Sequence, residues 1–171
     1  MKVEKIFGVL GMVVIVCLAG AIIWKANIIG VAQERLEADA RENQEIAEDW
    51  AVARAVNEEM CAMLFYDEET AECSYSVYLT HEDEMSTGYF YSQGGRDAYM
   101  AESAKALIFE DRGVVILSMN AEGISEIVTA AGSIQVDPAK PFVVLLPLES
   151  GEITLYDAQK NVVTLYDTYT G

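Results

Sequence analysis

The sequence CSYSVYL, at residues 73–79, alternates between two sets of side chains. Cys73, Tyr75, Val77 and Leu79 occupy every second position, and serine or tyrosine lies between them. Because successive side chains of a β-strand point to opposite faces, this alternation predicts a half-buried strand. The tyrosine and valine content favours the same structure. The stretch therefore marks the beginning of a β-rich region.

The chain after this strand consists of short apolar or alternating segments that turn-forming residues separate. Such short connections join antiparallel neighbours, because parallel strands need a long crossover. We therefore expect about seven to nine strands in one curved antiparallel β-sheet. Residues 97–105 fit either a short helix or a strand. The other predicted strands lie at residues 87–92, 106–109, 114–117, 124–129, 130–136, 142–146, 153–157 and 162–167.

The tetrapeptide Thr-Leu-Tyr-Asp occurs twice near the end of the sequence, at residues 154–157 and 164–167. Between the two copies, residues 158–161 (AQKN) are typical of a turn. This repeat predicts a β-hairpin whose two strands present matched faces.

Upstream of the β-rich region, residues 26–64 predict a helix. They are rich in Ala, Glu, Gln and Arg, which are strong helix formers, and they contain no proline. Between residues 33 and 49 the apolar positions are only Leu36, Ile46 and a few alanines, so residues 25–49 are expected to be an acidic helical stalk that is exposed to solvent. Gly30 is its expected bend.

The second part of this helix is expected to pack on the sheet, because Trp50, Met60 and Leu64 belong to an apolar stripe at helical spacing. Residues 50–171 are therefore predicted to form one domain of a helix plus an antiparallel sheet. The fold class of the whole chain is then α+β. A chain of 171 residues is long enough for one such domain.

The N-terminal residues 6–24 (IFGVLGMVVIVCLAGAIIW) contain no charged side chain. A helix of this length spans ~28 Å, which is close to the ~30 Å hydrocarbon core of a bilayer. We expect a transmembrane helix that continues into the stalk. Two alternatives are a secretory signal that is cleaved near Ala19-Gly20-Ala21 and a buried core helix.

The basic residues around this segment favour one orientation. Lys2 and Lys5 precede it, Lys25 follows it, and the next basic residue, Arg35, lies among acidic residues. Because positive flanks favour the cytoplasmic side, residues 1–5 are predicted to be a cytoplasmic tail. The segment would then be a signal anchor in the cell membrane, and the later domain would be extracytoplasmic at the cell surface.

The charge of the chain excludes one class of partner. Its formal net charge is −17, and its basic residues are scattered. Nucleic-acid binding needs clustered Lys and Arg that neutralise phosphates, so we expect none. His81 precedes Glu82, Asp83 and Glu84, but this spacing matches no calcium loop, and consecutive side chains diverge. We expect no catalytic, cofactor-binding or metal-binding residues, and hence no enzyme.

Two cysteines, Cys61 and Cys73, lie outside the predicted span, whereas Cys17 lies within it. Cys61 and Cys73 can form a disulfide that closes a short loop, which would contribute about 3 kcal/mol to stability in the chain-entropy model. Alternatively, both remain reduced and act as small apolar core residues.

Tyrosine is abundant in the first predicted strands. Tyr75, Tyr78, Tyr89 and Tyr91 are candidates for an aromatic binding face, because aromatic rows can stack on sugars or anchor a protein partner. An acidic face of this kind suits ligands with amines or neutral sugars. The alternative is ordinary packing between neighbouring strands.

These observations favour a membrane-anchored extracytoplasmic domain with a non-enzymatic binding or interaction role. Its expected partners are the membrane, through residues 6–24, and a protein partner or further copies of the chain. An alternative is a lipid or hydrophobe carrier, in which the hairpins curl into a half-barrel, as in the lipoprotein carriers that this pattern resembles.

A second alternative comes from the order of the elements. An apolar N-terminal helix, an amphipathic helix and an antiparallel sheet, together with the residues around Lys5 and Gly8, resemble type IV pilins and pseudopilins. The resemblance implies a filament subunit that is cleaved after Gly8. The sequence departs from that family at Val9, where an aromatic residue or Met is usual, and at Val13, where Glu is usual.

Overall fold

A computed structural model describes residues 29–81 and 86–170, without the side chains of residues 169 and 170. These residues form short β-strands and two short α-helices, α1 (Leu36–Gln44) and α2 (Ala98–Glu102). Short 3-10 turns cover Gln33–Arg35 and Leu148–Ser150. The strands are β1 (Ala51–Val56), β2 (Met60–Tyr66), β3 (Cys73–Thr80), β4 (Tyr89–Gly95), β5 (Ala104–Phe109), β6 (Gly113–Ser118), β7 (Ile124–Thr129), β8 (Gly132–Gln135), β9 (Phe142–Leu146), β10 (Thr154–Asp157), β11 (Val162–Val163) and β12 (Leu165–Thr170).

The strands form three sheets of four strands each. The first sheet has the order β1-β2-β3-β4, the middle sheet β12-β5-β6-β9, and the outer sheet β11-β10-β7-β8. Neighbours are antiparallel except for β12 and β5, which are parallel. The prediction of one curved sheet of seven to nine strands is therefore wrong.

The sheets are stacked in layers with α1 at one end. One apolar cluster joins the first sheet to the middle sheet, for example through Leu64 and Leu117. A second cluster joins the middle sheet to the outer sheet, and includes Ile116 and Ile127. A third lies between the first sheet and α1, where Leu36 and Ala40 are buried. The order of layers is thus α1, first sheet, middle sheet and outer sheet.

The strand β3 is buried on both faces rather than on one. Cys73, Tyr75 and Val77 face the middle sheet, as their alternation predicted. The serines between them are also buried, because α1 covers them. The Gln44 side chain accepts a hydrogen bond from Ser74 Oγ at 2.7 Å and donates one to Ser76 Oγ at 2.6 Å. Polar residues of a strand can therefore be buried when a neighbouring element supplies partners.

The prediction of a long helix over residues 26–64 is wrong. The helical residues end at Gln44, and Glu45 has a left-handed backbone with φ of 54°. Two strands follow, and Asn57 lies in the turn between them, where its Oδ1 accepts from the backbone N–H groups of Glu59 and Met60. Every residue of β2 except the last is buried, as in strands that are covered on both faces.

The prediction of an acidic stalk is also wrong. Its described part begins with the backbone of Val31 bonded to that of Tyr89 in both directions, at 2.7 Å and 2.9 Å. The short helix α1 then lies against the first sheet instead of extending into solvent. The fold class predicted as a long N-terminal helix plus one sheet is therefore replaced by a mainly β stack of sheets.

The prediction of a single-pass membrane protein is not upheld. Within residues 29–81 and 86–170, no helix has the length and apolar character that a membrane crossing requires. The predicted tail, residues 1–5, and the predicted span, residues 6–24, lie outside the described residues. The helix that was to connect this span to the domain is absent from residues 29–32. We therefore withdraw the signal-anchor and cell-surface localisation.

Several predicted strands are confirmed. The hairpin expected over residues 106–109 and 114–117 corresponds to β5 and β6. Residues 97–105 contain α2 and the beginning of β5, so they are both helix and strand. The hairpin of the repeated tetrapeptide is correct only in part. Its first copy is β10 in the outer sheet, whereas its second copy leads into β12 in the middle sheet.

Candidate functional site

The four tyrosines predicted as an aromatic binding face lie on two different faces of the first sheet. Tyr78, Tyr89 and Tyr91 are on the side that α1 covers, whereas Tyr75 faces the middle sheet. Three of them are buried, and only Tyr91 is exposed, at 49%. The structure therefore does not bring these side chains together as an open surface.

The buried tyrosines bond to the protein itself. The Tyr78 hydroxyl donates to Asp39 Oδ2 at 2.7 Å, and the Tyr89 hydroxyl donates to the backbone oxygen of Asn57 at 2.7 Å. Tyr91 packs edge-on against Tyr78, with 5.6 Å between ring centroids. The contact between Tyr78 and Tyr91 is cross-strand packing, the alternative to a binding face, and the two hydrogen bonds tie the sheet to α1 and to the turn between β1 and β2.

Tyr75 contributes to a buried charged group between the first and middle sheets. The Lys105 ammonium lies 5.8 Å from the centroid of the Tyr75 ring and forms an ion pair with Asp97. Asp97 also caps α2 by accepting from the backbone N–H of Tyr99. Because the Lys105 side chain is only 10% exposed, the ion pair and the ring enclose it. These contacts tie the start of β5 to the beginning of α2 and to the first sheet.

Cys61 and Cys73 are buried and free, and the structure does not bring them together. Cys61 lies opposite Tyr78, whereas Cys73 lies opposite Tyr66, five positions further along β2. At about 3.3 Å per residue, this separation is ~17 Å, which exceeds the ~7 Å that a disulfide tolerates between Cα atoms. The two side chains also point into different apolar clusters.

An open cleft of about 380 Å³ lies where the first and middle sheets end together. We call it the Tyr66–Pro141 cleft. The turn between β2 and β3 forms one wall, and the loop before β9 forms the other. Met119 follows β6 directly and lies between the two walls. The residues that line the cleft are Tyr66, Asp67, Glu68, Ala71, Met119, Ala139, Lys140 and Pro141.

The wall of the cleft that contains Lys140 is fixed by Asn120. This buried amide donates to the backbone oxygens of Asp137 at 2.9 Å and of Lys140 at 3.2 Å. Its Oδ1 accepts from the backbone N–H of Ile124 at 2.6 Å. Asn120 has a φ of 59°, a left-handed conformation in which Asn is enriched. One side chain thus ties the loop before β9 to the end of β6.

The opposite wall is fixed by Asp67. Its Oδ1 accepts from the backbone N–H of Glu69 at 2.8 Å, and its backbone N–H donates to Glu72 at 3.0 Å. The hydrogen bond from Glu69 holds the pKa of the Asp67 carboxyl below its usual range. The bond from the Ala139 backbone does the same for the pKa of Asp137. Both carboxylates therefore stay ionised at neutral pH and in mild acid.

A smaller cavity of about 140 Å³ lies beyond the end of α1. Its walls include Trp50 and Arg96, whose guanidinium carbon lies 5.9 Å from the centroid of the Trp50 ring. Arg96 also pairs with Glu72 at 3.4 Å, and the Gln44 amide is bonded to the first sheet. Gln44, Ser74 and Arg96 already bond to other residues of the chain and the cavity is small, so the larger cleft is the better candidate.

His81 packs against Phe90, with 4.0 Å between ring centroids. Within the part of the chain that the structure describes, no three His, Cys, Asp or Glu side chains are grouped as a metal site requires. Residues 82–84, the other members of the acidic HEDE sequence, lie outside that part.

The residues of the Tyr66–Pro141 cleft were not identified from the sequence. Its two walls are the polar segment that begins at Asp67 and the Asp-Pro-Ala-Lys-Pro segment at residues 137–141, which the sequence marks as breaks between strands. Their composition does not indicate that they meet, because the contact depends on how the first and middle sheets stack. Comparisons of the chain with protein-family models, with curated proteins and with solved structures found no match.

Proposed function

We propose that the chain is a non-enzymatic binding module whose ligand occupies the Tyr66–Pro141 cleft. The observation that carries this proposal is the cleft itself. Its volume of about 380 Å³ lies within the ~300–1,000 Å³ that is common for ligand sites. Tyr66, Met119 and Pro141 give it apolar surface, and charged side chains stand at both walls.

Hydrogen bonds within the chain hold both walls of the cleft in place. Asn120 fixes one wall and Asp67 fixes the other through hydrogen bonds to the backbone. A preformed site costs little conformational entropy when a ligand binds, which favours affinity. The two alternatives rested on a long N-terminal helix and on a half-barrel, and the observed short helix and stacked sheets favour neither.

The methyl group of Met119 offers a direct test. The full-length chain would be labelled with 13C at its methionine methyl groups and mixed with pools of amino-acid amides, of monosaccharides and of random heptapeptides. We expect at least one pool to shift the Met119 signal. The signals of Met60, Met63 and Met100 should stay in place, because these side chains are fully buried in the core.

A bulky substitution provides the control. Ala139→Trp should fill the cleft and remove the shift, whereas Ala131→Trp, on the exposed turn between β7 and β8, should leave it unchanged. The proposal fails if no pool moves the Met119 signal, or if Ala139→Trp binds as well as the unsubstituted chain.

A further inference from the structure

We infer that the occupant of the Tyr66–Pro141 cleft is a polypeptide segment that presents an arginine or lysine side chain to Asp67 and Glu68. The inference rests on the proposed function, since it names the ligand of that same cleft. It is carried by the charge of the walls and by the chemistry of the surface between them.

The walls carry more negative than positive charge. Asp67 and Glu68 lie on one side, and Lys140 lies on the other. The Lys140 ammonium is already compensated by Asp137, whose Oδ2 lies 3.4 Å away. A cation that enters beside Asp67 therefore meets carboxylates, and the ammonium on the far wall has a carboxylate partner of its own. An anionic ligand would be repelled by the same two carboxylates.

The surface between the walls suits the stem of a basic side chain. Arginine and lysine can lay their methylene groups on apolar surface while the charged end stays in water. Tyr66, Met119 and Pro141 supply that apolar surface. The Tyr66 ring can also attract a cation that lies over its face. Because the cleft is open to solvent, a polypeptide can cross it with one side chain inserted.

The charge of the whole chain favours the same class of partner. A net charge of −17 attracts basic segments and repels acidic ones before contact. This attraction extends over about one Debye length, ~10 Å at 0.1 M salt, so it should weaken as salt is added. General attraction does not select a site, however, so a test must separate the cleft from the rest of the surface.

The test measures the binding of fluorescent peptides to the full-length chain by anisotropy. Three peptides of equal length share a Gly-Ser frame and carry arginine, glutamate or only neutral residues. We expect the arginine peptide alone to bind. Glu68→Lys should weaken its binding at least about tenfold, a change of ~1.4 kcal/mol. Glu152→Lys alters the net charge equally at an exposed site outside the cleft, and should weaken binding less than about twofold.

The outcomes separate this inference from the proposed function. Equal weakening by Glu68→Lys and Glu152→Lys would show general attraction and overturn the inference. Binding of the neutral peptide or of a sugar that Ala139→Trp abolishes would also overturn it, and would leave the proposed function in place. If no probe binds and none moves the Met119 signal, both fail.

Discussion

At the scale of single residues, Asn120 holds one wall of the cleft through its side-chain hydrogen bonds. Its amide nitrogen donates to three backbone oxygens, those of Ile124, Asp137 and Lys140. Its oxygen accepts from a backbone N–H, so every bond of this buried side chain goes to the main chain. Substitutions here should change both the stability of the protein and the position of the cleft wall.

Asn120→Asp tests this role with almost no change of volume. The new carboxylate would face three carbonyl oxygens and lose the donor, so we expect a loss of about 2–4 kcal/mol in the free energy of unfolding at pH 7. The fold raises the pKa of that carboxyl above its unfolded value, because burial and the carbonyls disfavour its charge. The deficit should therefore shrink as the pH falls to about 4.5.

Urea unfolding of both proteins at the two pH values measures this deficit. The comparison with the unsubstituted chain at each pH removes the contribution of the other carboxyls. A deficit that is under ~0.5 kcal/mol at pH 7, as is usual for surface substitutions, would contradict the role of Asn120 as a clamp.

The buried tyrosines should make the folded protein less stable at alkaline pH. Burial raises the pKa of the Tyr75, Tyr78 and Tyr89 hydroxyls, and the hydrogen bond to Asp39 raises that of Tyr78 further. The unfolded chain then loses protons near pH 10, whereas the folded chain keeps them. Stability is fully present below about pH 10 and should fall as the pH rises above it.

Tyr78→Phe separates the contribution of Tyr78. We expect it to lower the free energy of unfolding by about 1–2 kcal/mol at pH 7, because the bond to Asp39 is lost. It should also make stability fall less steeply above about pH 10. Tyr91→Phe, at an exposed ring, is the matched control. The explanation is wrong if both variants lose stability above that pH as steeply as the unsubstituted chain.

At the scale of elements, two glycines let the N-terminal segment approach β4. A Cβ on Gly30 would lie 2.6 Å from the backbone oxygen of Tyr89, and one on Gly88 would lie 2.8 Å from that of Val31. No side chain fits at such distances. Gly30 was expected to bend a helix, but its observed role is to allow close contact between two extended backbones.

Gly30→Ala should therefore separate residues 29–31 from β4. We expect hydrogen exchange at the Val31 amide, which donates to Tyr89, to become at least about tenfold faster, since this local opening would lose ~1.4 kcal/mol. The amides of β2 in the centre of the first sheet should keep their protection. Unchanged protection of Val31 would show that the backbone contact tolerates a side chain.

The positions of the two cysteines in β2 and β3 make a further prediction. Cys61 and Cys73 lie at opposite ends of paired strands, and burial raises the pKa of both thiols. We expect both to react with an alkylating reagent only after unfolding, because the thiolate is the reactive form. Peptide mapping after mild oxidation of the folded chain should find no Cys61–Cys73 disulfide. Its recovery in high yield would contradict the strand register.

Local sequence predicted the strands that alternate or are bounded by clear turns. The alternation of β3 predicts it, and the apolar runs of β5 and β6 with the Gly-containing turn between them predict that hairpin. β1 and β2 were assigned to a helix instead. Their alanine, arginine, methionine and leucine residues favour helices in isolation, but burial of β2 on both faces overrides that preference.

At the scale of the whole molecule, the pairing of distant strands could not be predicted. β12 lies parallel to β5, although about sixty residues separate them in the sequence, and this pairing takes the second Thr-Leu-Tyr-Asp copy away from the first. Hydrophobic periodicity indicates which face of a strand is buried, but not which sheet covers it. For that reason the sequence indicated an acidic chain with many strands and not a stack of three sheets.

The candidate site belongs to the same scale. The Tyr66–Pro141 cleft forms where the first and middle sheets end side by side, so no single segment of the sequence predicts it. The predicted tyrosines were a poorer guide, because aromatic residues in strands fill the core as readily as they bind ligands. The sequence suggested a ligand with amines or neutral sugars at the tyrosine face, whereas we propose a ligand with a basic side chain at this cleft.

The most direct test is the methyl signal of Met119 during a titration of the full-length chain with the arginine peptide. We predict a saturable shift of this signal that Glu68→Lys weakens and Glu152→Lys preserves, while the signals of Met60, Met63 and Met100 do not move. A Met119 signal that stays in place at every peptide concentration, although the peptide binds, would contradict the assignment of the cleft as the binding site.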